Sequence, residues 1–462
     1  MSSAGISFGG LGSGLDTQSI IAALMAVERR PIAALESKKS SYNQQKSLFG
    51  DLDGLLDKLQ DAAQKLRTGT NFLSMAAASS HPEILTASAS STATPGSYQV
   101  TVNSLATSQA NGAGSSDPNT TTHGDGTLWI TTGGVVHSID VGSGSAYPST
   151  LEGIRDAIND QNIDVSASVV DTGIEGSDRY QLVLRSNIAG SEGAFTVELD
   201  SGTAPLQTLV DDLNANELTP ASNASLEING LTVERSSNSI TDVIPGVTLN
   251  LESAPTPPTE VTITVTTDTE ETASTVKEFV EAYNEVVDFV SSQNALGEDG
   301  EARNPLFGDS TLRSIRSSLR SIVGGSVDTG NPAAAMFFQV GITADREGRL
   351  TFNESKFEEA LVEDEQAVTN LFAQASTGIA QRIFDKIDAY TDSVDGLIKT
   401  RTDGFDRLIR DTTRRIEQAE DRLDRTEASL QQRFASLETL IARLQGQGSA
   451  LSAFPTVGQT PS

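Results

Sequence analysis

Cysteine is absent from all 462 residues of the sequence. Its absence excludes disulfide bonds, thiol catalysis and cysteine-ligated zinc. The three histidines, His81, His123 and His137, form no pair at the spacing of a helical metal site, so we interpret them as exposed loop residues. Tryptophan occurs once, and aromatic residues make up only 5% of the chain, a low share that still permits folded domains. No cofactor or metal is predicted.

Positive charge and long apolar runs are also scarce. The chain has 32 Lys and Arg against 62 Asp and Glu, a net charge of −30. Nucleic acid and anionic membrane surfaces attract basic patches, so neither is an expected partner. No run approaches the roughly 18 to 20 apolar residues of a membrane span, and no membrane insertion is predicted.

The opening segment "GISFGGLGSGLD" is rich in glycine but does not have the pattern of a phosphate-binding loop. No apolar strand precedes it, and no Gly-Lys-Ser/Thr follows it. A secretory signal is not indicated either, because the basic pair Arg29 and Arg30 comes after the apolar run instead of before it. We interpret the segment as a flexible lead-in to a helix.

Helix signals follow directly. Asp16 is a candidate N-cap that accepts from the amides of Gln18 or Ser19. Leu15 and Ile20 are placed as a hydrophobic staple. Pro31 is expected to interrupt or restart the helix.

Long helices are predicted at both ends of the chain. In the first, apolar residues recur every three or four positions: Leu48 or Phe49, Leu52, Leu55 or Leu56, Leu59, Ala62 or Ala63, and Leu66. The last flank repeats this spacing over roughly 40 residues, typical of a coiled coil: Phe405, Leu408, Thr412, Ile416, Ala419, Leu423, Thr426, Leu430, Phe434, Leu437, Ile441 and Leu444. Since a narrow apolar seam needs a partner, the two ends are expected to pack together.

The middle of the chain has the alternation of antiparallel strands. Tyr98, Val100 and Val102 share one face, and Asn229-Gly230 is a turn dipeptide between two strands. A smaller α+β unit is predicted at about 111–221, with a short helix whose Ser149 and Glu152 fit a capping box. Trp129 is expected in the core of this unit, the alternative being an exposed anchor for a host glycan.

No enzyme is predicted. His137 lies beside Ser138 and near Asp140, but the chain has no G-x-S-x-G elbow. Acidic runs such as Glu270-Glu271 place neighbours that do not face one another on a helix, and they are interpreted as solvated surface.

These pieces, in this order, resemble the flagellar filament cap protein family, also called hook-associated protein 2. The matching stretches are "GLDTQSIIAALMAVERRPIAALESKKS", "STLEGIRDAIN", "SNSITDVIPGVTLNL", "FVEAYNEVVDFV", "GITADREGRLTFNESKFEEAL" and the coiled C-terminal end. The unit at 111–221 matches less closely. The resemblance implies a structural protein without enzymatic activity, secreted through the flagellar type III export channel to the distal filament tip.

The same resemblance implies partners. They are further copies of the chain in a ring, flagellin, and an export chaperone on the C-terminal helix. Apart from the resemblance, host mucin is a further candidate partner of the heads, in a second, adhesive role. The hook–filament junction proteins and a primary surface adhesin are the alternatives left open.

The expected fold class is multidomain α+β, with two β-rich head domains inserted between terminal helices. The predicted parts are legs at 1–40 and 415–462 that form an antiparallel coiled coil, a helical body at 41–75 and 272–414, a β-rich head domain at 76–110 and 222–271, and an inserted α+β head domain at 111–221. Candidates for contact with flagellin or neighbouring subunits are Ile20, Leu24, Val27, Ile32, Leu35, Leu423, Leu430, Phe434, Leu437, Ile441 and Leu444. Each leg is expected to use one seam internally and to expose another.

Overall fold

The computed structural model describes residues 16–296 and 304–452. The chain divides into two compact units, one formed by Met1–Gly69 with Ala273–Ser462 and the other by Thr70–Thr272. The glycine-rich lead-in and Leu15, half of the predicted staple, lie outside the described residues.

Helices dominate the two ends of the chain and strands dominate its middle. The helices of the described residues are α1 (Thr17–Glu28), α2 (Arg30–Leu66), α3 (Gly69–Phe72), α4 (Leu151–Asp160), α5 (Ala204–Ala215), α6 (Thr269–Gln293), α7 (Ser310–Val323), α8 (Glu354–Glu363), α9 (Glu365–Ala373), α10 (Ile379–Thr391) and α11 (Leu397–Ser452). The strands are β1 (Ser74–Ser79), β2 (Leu85–Ala89), β3 (Gly96–Ser104), β4 (Ala110–Ser115), β5 (Gly126–Thr132), β6 (Val135–Val141), β7 (Val165–Asp171), β8 (Tyr180–Ser186), β9 (Phe195–Gly202), β10 (Glu217–Thr219), β11 (Ala224–Ile228), β12 (Leu231–Arg235), β13 (Ser239–Ile244), β14 (Val247–Leu251), β15 (Glu260–Asp268), β16 (Ile342–Ala344) and β17 (Leu350–Phe352). The predicted α+β class is confirmed.

The first unit is a helical assembly built on one face of α2. The predicted apolar positions of that face are fully buried: Phe49, Leu52, Leu56, Leu59, Ala63 and Leu66. They pack against α10 and α11. Burying a leucine side chain stabilises a fold by about 1.5 to 3 kcal/mol, so this face is a major source of the unit's stability.

An aromatic cluster fills the rest of that helical core. The Phe337 ring centroid lies 5.0 Å from that of Phe372 and 6.4 Å from that of Phe279. Phe357 packs edge-on against Phe372 at 6.2 Å. These rings join α6, α8 and α9 to the segment before the short β16–β17 hairpin.

The second unit contains two β-rich parts, and the first of them is built from both ends of the unit. Its five-stranded sheet has the order β1-β15-β3-β11-β12, and a three-stranded sheet has the order β13-β14-β2. Val100 and Val102 lie in the core between them, as predicted. The Asn229-Gly230 turn is also confirmed: both residues have positive φ, 48° and 83°, as a two-residue hairpin turn requires.

The "NSITDVIPGVTL" stretch forms the β13–β14 hairpin of this part. Asn238 fixes its start, because its side-chain amide bonds both the amide and the carbonyl of Ala106 at 2.7 and 3.0 Å. At the turn, Gly246 has φ 75°, and a Cβ there would lie 2.6 Å from the Ala93 nitrogen. The motif is thus required for local packing.

The inserted part, between β4 and β10, has its own core. A four-stranded sheet, β10-β4-β8-β7, and a three-stranded sheet, β6-β5-β9, turn their inner faces toward it, and α4 and α5 pack on the same core. The predicted capping box on α4 is wrong. Thr150 is the N-cap and accepts from the Gly153 amide at 3.3 Å, whereas Glu152 lies 3.9 Å from Arg155. The helix begins one residue later than predicted, because this start places Leu151 and Ile154 in the core.

Two further predictions are corrected by burial. Trp129 is not a core residue: Leu128 and Ile130 point inward from β5, so the alternation of the strand turns Trp129 outward, 37% exposed. The histidine prediction is only partly correct: His81 and His123 lie in loops and His137 lies in β6, and all three are half-buried and not exposed. Burial lowers the pKa of His123, with Asp212 acting in the opposite direction.

Candidate interaction surface of the terminal helices

The first described helix begins as the sequence predicts. The Asp16 carboxylate accepts from the Ser19 amide at 3.0 Å, which satisfies one of the free donors at the start of α1. The helix ends at Glu28, and α2 begins at Arg30 with Pro31 in its first turn. A proline costs least there, because the first amides of a helix lack partners anyway.

α1 and α2 run antiparallel to α11. The Thr17 hydroxyl donates to Glu438 at 3.1 Å near one end of the pairing. Further along, Lys46 Nζ lies 2.6 Å from the Asp406 carboxylate, and Tyr42 packs on Phe405 with centroids 6.4 Å apart. Residue numbers rise along one partner as they fall along the other, so the paired ends form an antiparallel coiled coil.

An apolar seam joins α1 and α2 to α11. Met25, Ile32, Ile416 and Leu423 are buried together, and four more side chains pack against them: Ile21, Leu35, Ala419 and Leu430. Ion pairs that remain partly open to water, such as Lys46–Asp406, are worth about 1 kcal/mol or less each. The seam, not the ion pairs, therefore holds the helices together.

The pairing loosens toward the start of α1. A groove of about 610 Å³ lies between α1 and α11, lined by Thr17, Ile21 and Met25 on one side and by Gln431, Phe434 and Ala435 on the other. Phe434 and Ile441 are half-buried beyond the tightly packed part of the seam.

The eleven candidate contact residues fall into two sets. Six belong to the inward side of the pair: Ile32, Leu35, Leu423, Leu430, Phe434 and Ile441. Five are exposed, Ile20, Leu24 and Val27 by 39 to 54% and Leu437 and Leu444 by 50 and 56%. The role of all eleven in contacts with another protein stays a prediction, but the exposed five have the largest accessible surface in a single chain.

Ile20, Leu24 and Val27 are spaced by four and three residues and therefore share one face of α1. Thr17, Ile21 and Met25, which face α11, occupy the neighbouring face. α1 therefore presents apolar side chains on both of these faces. We call the exposed face, Ile20, Leu24 and Val27, the outer stripe of α1.

The predicted seam of α11 is not a single face. Leu408, Leu437 and Leu444, which it included, are exposed, and Leu440, which it omitted, is exposed as well. Leu408, Leu437 and Leu444 each lie three residues after the preceding residue of the predicted seam. Three residues turn an α-helix by about 300°, so each of these leucines lies about 60° away from that preceding residue around the helix axis. One partner helix covers the centre of the stripe and leaves this edge open.

Charge on α11 is partly neutralised along the helix itself. The Asp411 carboxylate lies 2.6 Å from the Arg414 guanidinium and 3.1 Å from the Arg415 guanidinium. The hydrogen bond from Arg414 and the charge of Arg415 lower the pKa of the Asp411 carboxyl. Asp411 therefore stays ionised at neutral pH.

The described residues do not form the other candidate sites considered above, a Ser–His–Asp triad and a metal site. In β6 the side chains alternate, so Ser138 and Asp140 point outward while His137 is turned to the other face, and Asp140 instead accepts from the Thr127 hydroxyl at 2.7 Å. Among residues 16–296 and 304–452, no group of three or more His, Cys, Asp or Glu is placed to hold a metal ion. No helix in the described part of the chain is both long and apolar enough to cross a membrane.

Comparisons with known proteins bear on both ends of the chain. A model of the flagellar hook-associated protein 2 N-terminus matches residues 13–109, and a model of its C-terminus matches residues 221–446. The B-type flagellar hook-associated protein 2 of Pseudomonas aeruginosa is 30% identical over 91% of this chain and 90% of its own length. A flagellar hook-associated protein 2 of Escherichia coli is 32% identical over 97% of this chain and 98% of its own.

A solved structure agrees with these matches. The crystal structure of three domains of the flagellar cap protein FliD from Escherichia coli superposes with a TM-score of 0.62 at 31% identity, covering 78% of this chain and 99% of that one. Paired terminal helices that flank β-rich domains in the sequence, together with these matches, define a structural, non-enzymatic class of protein. The chain belongs to the flagellar hook-associated protein 2 family, the flagellar cap proteins, as its motifs indicated.

Proposed function

We propose that this protein caps the distal end of the bacterial flagellar filament, where several copies form a ring that helps exported flagellin to fold and insert and keeps it from escaping. The observation that carries the proposal is the outer stripe of α1 in a chain of this family. Ile20, Leu24 and Val27 hold apolar surface outside a helix pair that is already closed by another seam. Such surface is costly in water unless a partner covers it.

In this proposal the partner is flagellin. The paired terminal helices act as legs that reach onto the end of the filament, and the outer stripe contacts flagellin subunits there. Leu437, Leu440 and Leu444 extend the exposed apolar surface on α11. Burial of flagellin's own apolar surface drives its folding, so the cap consumes no cofactor.

The route to the tip is part of the same proposal. The chain leaves the cell unfolded through the flagellar type III export channel, and an export chaperone binds the C-terminal helix before export. The absence of cysteine supports this route, because a disulfide would hinder threading. Adhesion to host mucin by the heads stays a prediction, and the hook–filament junction role stays the structural alternative to the cap.

The test is filament growth in the organism that carries the gene. We expect deletion of the gene to leave flagellin exported but shed as monomer into the medium. A chain with Ile20→Ser, Leu24→Ser and Val27→Ser is expected to be exported and folded, yet to shed flagellin like the deletion. Flagellin in filaments and in the medium is measured by quantitative immunoblotting.

The matched control is Val362→Ser with Val394→Ser. These valines are 77% and 84% exposed and lie outside α1 and α11, so their loss changes apolar surface without touching the legs. We expect normal filaments from this control. Normal filament length in the deletion strain contradicts the cap function, and normal filaments from the triple variant contradict the role of the outer stripe.

A further inference from the structure

The second unit carries most of the net negative charge of the chain, −21 of −30. Residues 70–272 contain 25 acidic and four basic side chains, a net charge of −21. Two copies of this unit therefore repel each other unless a local contact outweighs the repulsion. The four basic residues are the places to look for such a contact.

Only one of these four cations is available. Three pair with carboxylates of the same unit: Arg155 with Asp156 at 2.8 Å, Arg179 with Asp171 at 2.9 Å and Arg235 with Asp242 at 3.0 Å. Arg185 is exposed and makes no ion pair with the described residues. Its guanidinium can therefore pair with a carboxylate of another chain without breaking an ion pair of its own unit.

The strand that carries Arg185 presents it outward. In β8, Leu182 and Leu184 are buried in the core of the inserted part, so Arg185 lies on the opposite face. Val170, on the neighbouring strand β7, is exposed on the same outer face as Ser166, which pairs with Arg185. We call this surface the arginine face.

The only tryptophan of the chain lies on the outer face of the other sheet. Trp129 on β5 pairs with Ser138 on β6 and with Glu198 on β9. Val136 adds exposed apolar surface beside them. An indole ring flanked by a carboxylate is a receptor for a guanidinium group, which binds the ring by a cation–π interaction and the carboxylate by an ion pair. We call this surface the tryptophan face.

One copy does not close this contact by itself. Both sheets turn their inner faces to a single core, so the arginine face and the tryptophan face point away from that core on different sheets. Arg185 contacts no aromatic ring in the described chain. Two different surfaces that complement each other give a head-to-tail contact between copies, which closes into a ring or continues as a filament.

We propose that Arg185 of one copy binds Trp129 and Glu198 of the next copy, and that this contact links neighbouring heads. The inference rests on the proposed ring and names a contact within it. It lies in residues 110–220, which fall between the two stretches that the family models match. A contact encoded there favours association of the chain with its own copies over distant relatives.

Charge reversal tests the contact in the full-length chain. Arg185→Glu and Glu198→Arg are each expected to weaken self-association at least about tenfold, measured by sedimentation velocity over a concentration series. The double variant restores an opposite-charge pair and is expected to recover association. The control is Glu227→Arg, which makes the same reversal at an exposed position on β11, in the other part of the unit.

Fluorescence gives an independent readout, because Trp129 is the only tryptophan. With rising protein concentration we expect its emission to shift to shorter wavelength and its quenching by acrylamide to fall in the wild-type chain. Neither change is expected in the Arg185→Glu variant. A fold defect in a variant would appear instead as altered emission at the lowest concentration.

The outcomes separate the contact from the ring. Rings that form equally well in both single variants overturn the contact and leave the ring standing. A full chain that stays monomeric at every concentration contradicts both. Unchanged rings, together with mucin binding that is lost in Trp129→Ala, assign the tryptophan to a glycan and overturn the contact.

Discussion

Asp309 shows how one side chain joins three helices. It is the N-cap of α7, accepting from the amides of Thr311 and Leu312 at 2.7 and 3.4 Å, and it receives Arg401 from α11 at 2.5 Å. The guanidinium of Arg401 also lies near the Phe49 ring of α2, 5.9 Å from its centroid. The Asp309 side chain is only 7% exposed, so little water replaces these partners.

The charge of Asp309 is stabilised in the fold. Burial alone raises the pKa of its carboxyl, but the hydrogen bonds from Arg401, Thr311 and Leu312 outweigh burial, and the net pKa lies below its ordinary value. A lowered folded-state pKa means that the carboxylate contributes its full stability above the unfolded-state value of about 4 and loses it as pH falls through the folded-state pKa.

We therefore expect Asp309→Asn to lower the free energy of unfolding by about 1 to 3 kcal/mol at pH 7, because the amide still caps the helix but leaves Arg401 unpaired. The difference from wild type should shrink as pH falls below about 4. Urea unfolding at several pH values measures it. Glu417→Gln, at an exposed position of α11, is the control and should change stability little. A constant difference down to pH 3 contradicts this account.

Other features at the residue scale show the limit of sequence reasoning. Asp16 was predicted as a cap because the pattern that marks it is local. The cap of α4 was placed at Ser149 and not at Thr150, because the choice depends on which register buries Leu151. Trp129 was expected inside because the alternation of β5 does not state which of its two faces meets the core.

At the scale of elements, the pairing of α1 and α2 with α11 was predictable and its edges were not. The spacing of Ile32, Ile416 and Leu423 identifies the centre of a seam. Met25, the buried seam residue of α1, is not among the predicted contact residues, which in α1 are the exposed Ile20, Leu24 and Val27. Whether Leu437 and Leu444 belong to it depends on how far one partner helix reaches around the other. This depends on how the helices pack in three dimensions, and the sequence pattern of one helix does not specify it.

Neighbouring residues of α1 make this distinction testable. Met25 is buried in the seam and Leu24 lies on the outer stripe. Met25→Asp places an uncompensated charge against α11, and a helix of 12 residues is marginal without such a partner. We expect amide hydrogen exchange in α1 to speed up roughly 30-fold or more, equivalent to about 2 kcal/mol.

Leu24→Asp serves as the matched control on the next residue. The same charge then points to solvent, and we expect exchange in α1 to stay within about threefold of wild type, as for ordinary surface substitutions. Equal effects of the two substitutions contradict the assignment of an inner seam and an outer stripe to α1.

At the scale of the whole molecule, the chain leaves the first unit once and returns once. The two crossings lie at residues 69–70 and 272–273, and β1 pairs with β15 close to both, with Ser74 opposite Asp268. The second unit therefore closes its own termini by sheet pairing. It also contains two hydrophobic cores of its own. Of the 32 basic residues of the chain, 28 lie in the first unit.

This division predicts that residues 70–272 fold as an isolated fragment and that salt stabilises them. With a net charge of −21 and only four ion pairs of its own among the described residues, made by three arginines, the fragment is opposed by self-repulsion. The Debye length falls from about 30 Å at 0.01 M to about 10 Å at 0.1 M salt, which screens repulsion between distant carboxylates. We expect the Tm, followed by Trp129 fluorescence and circular dichroism, to rise by several degrees over this range. A fragment without a cooperative transition contradicts the autonomy of the unit, and a Tm that falls with salt shows that attractive pairs outweigh the repulsion.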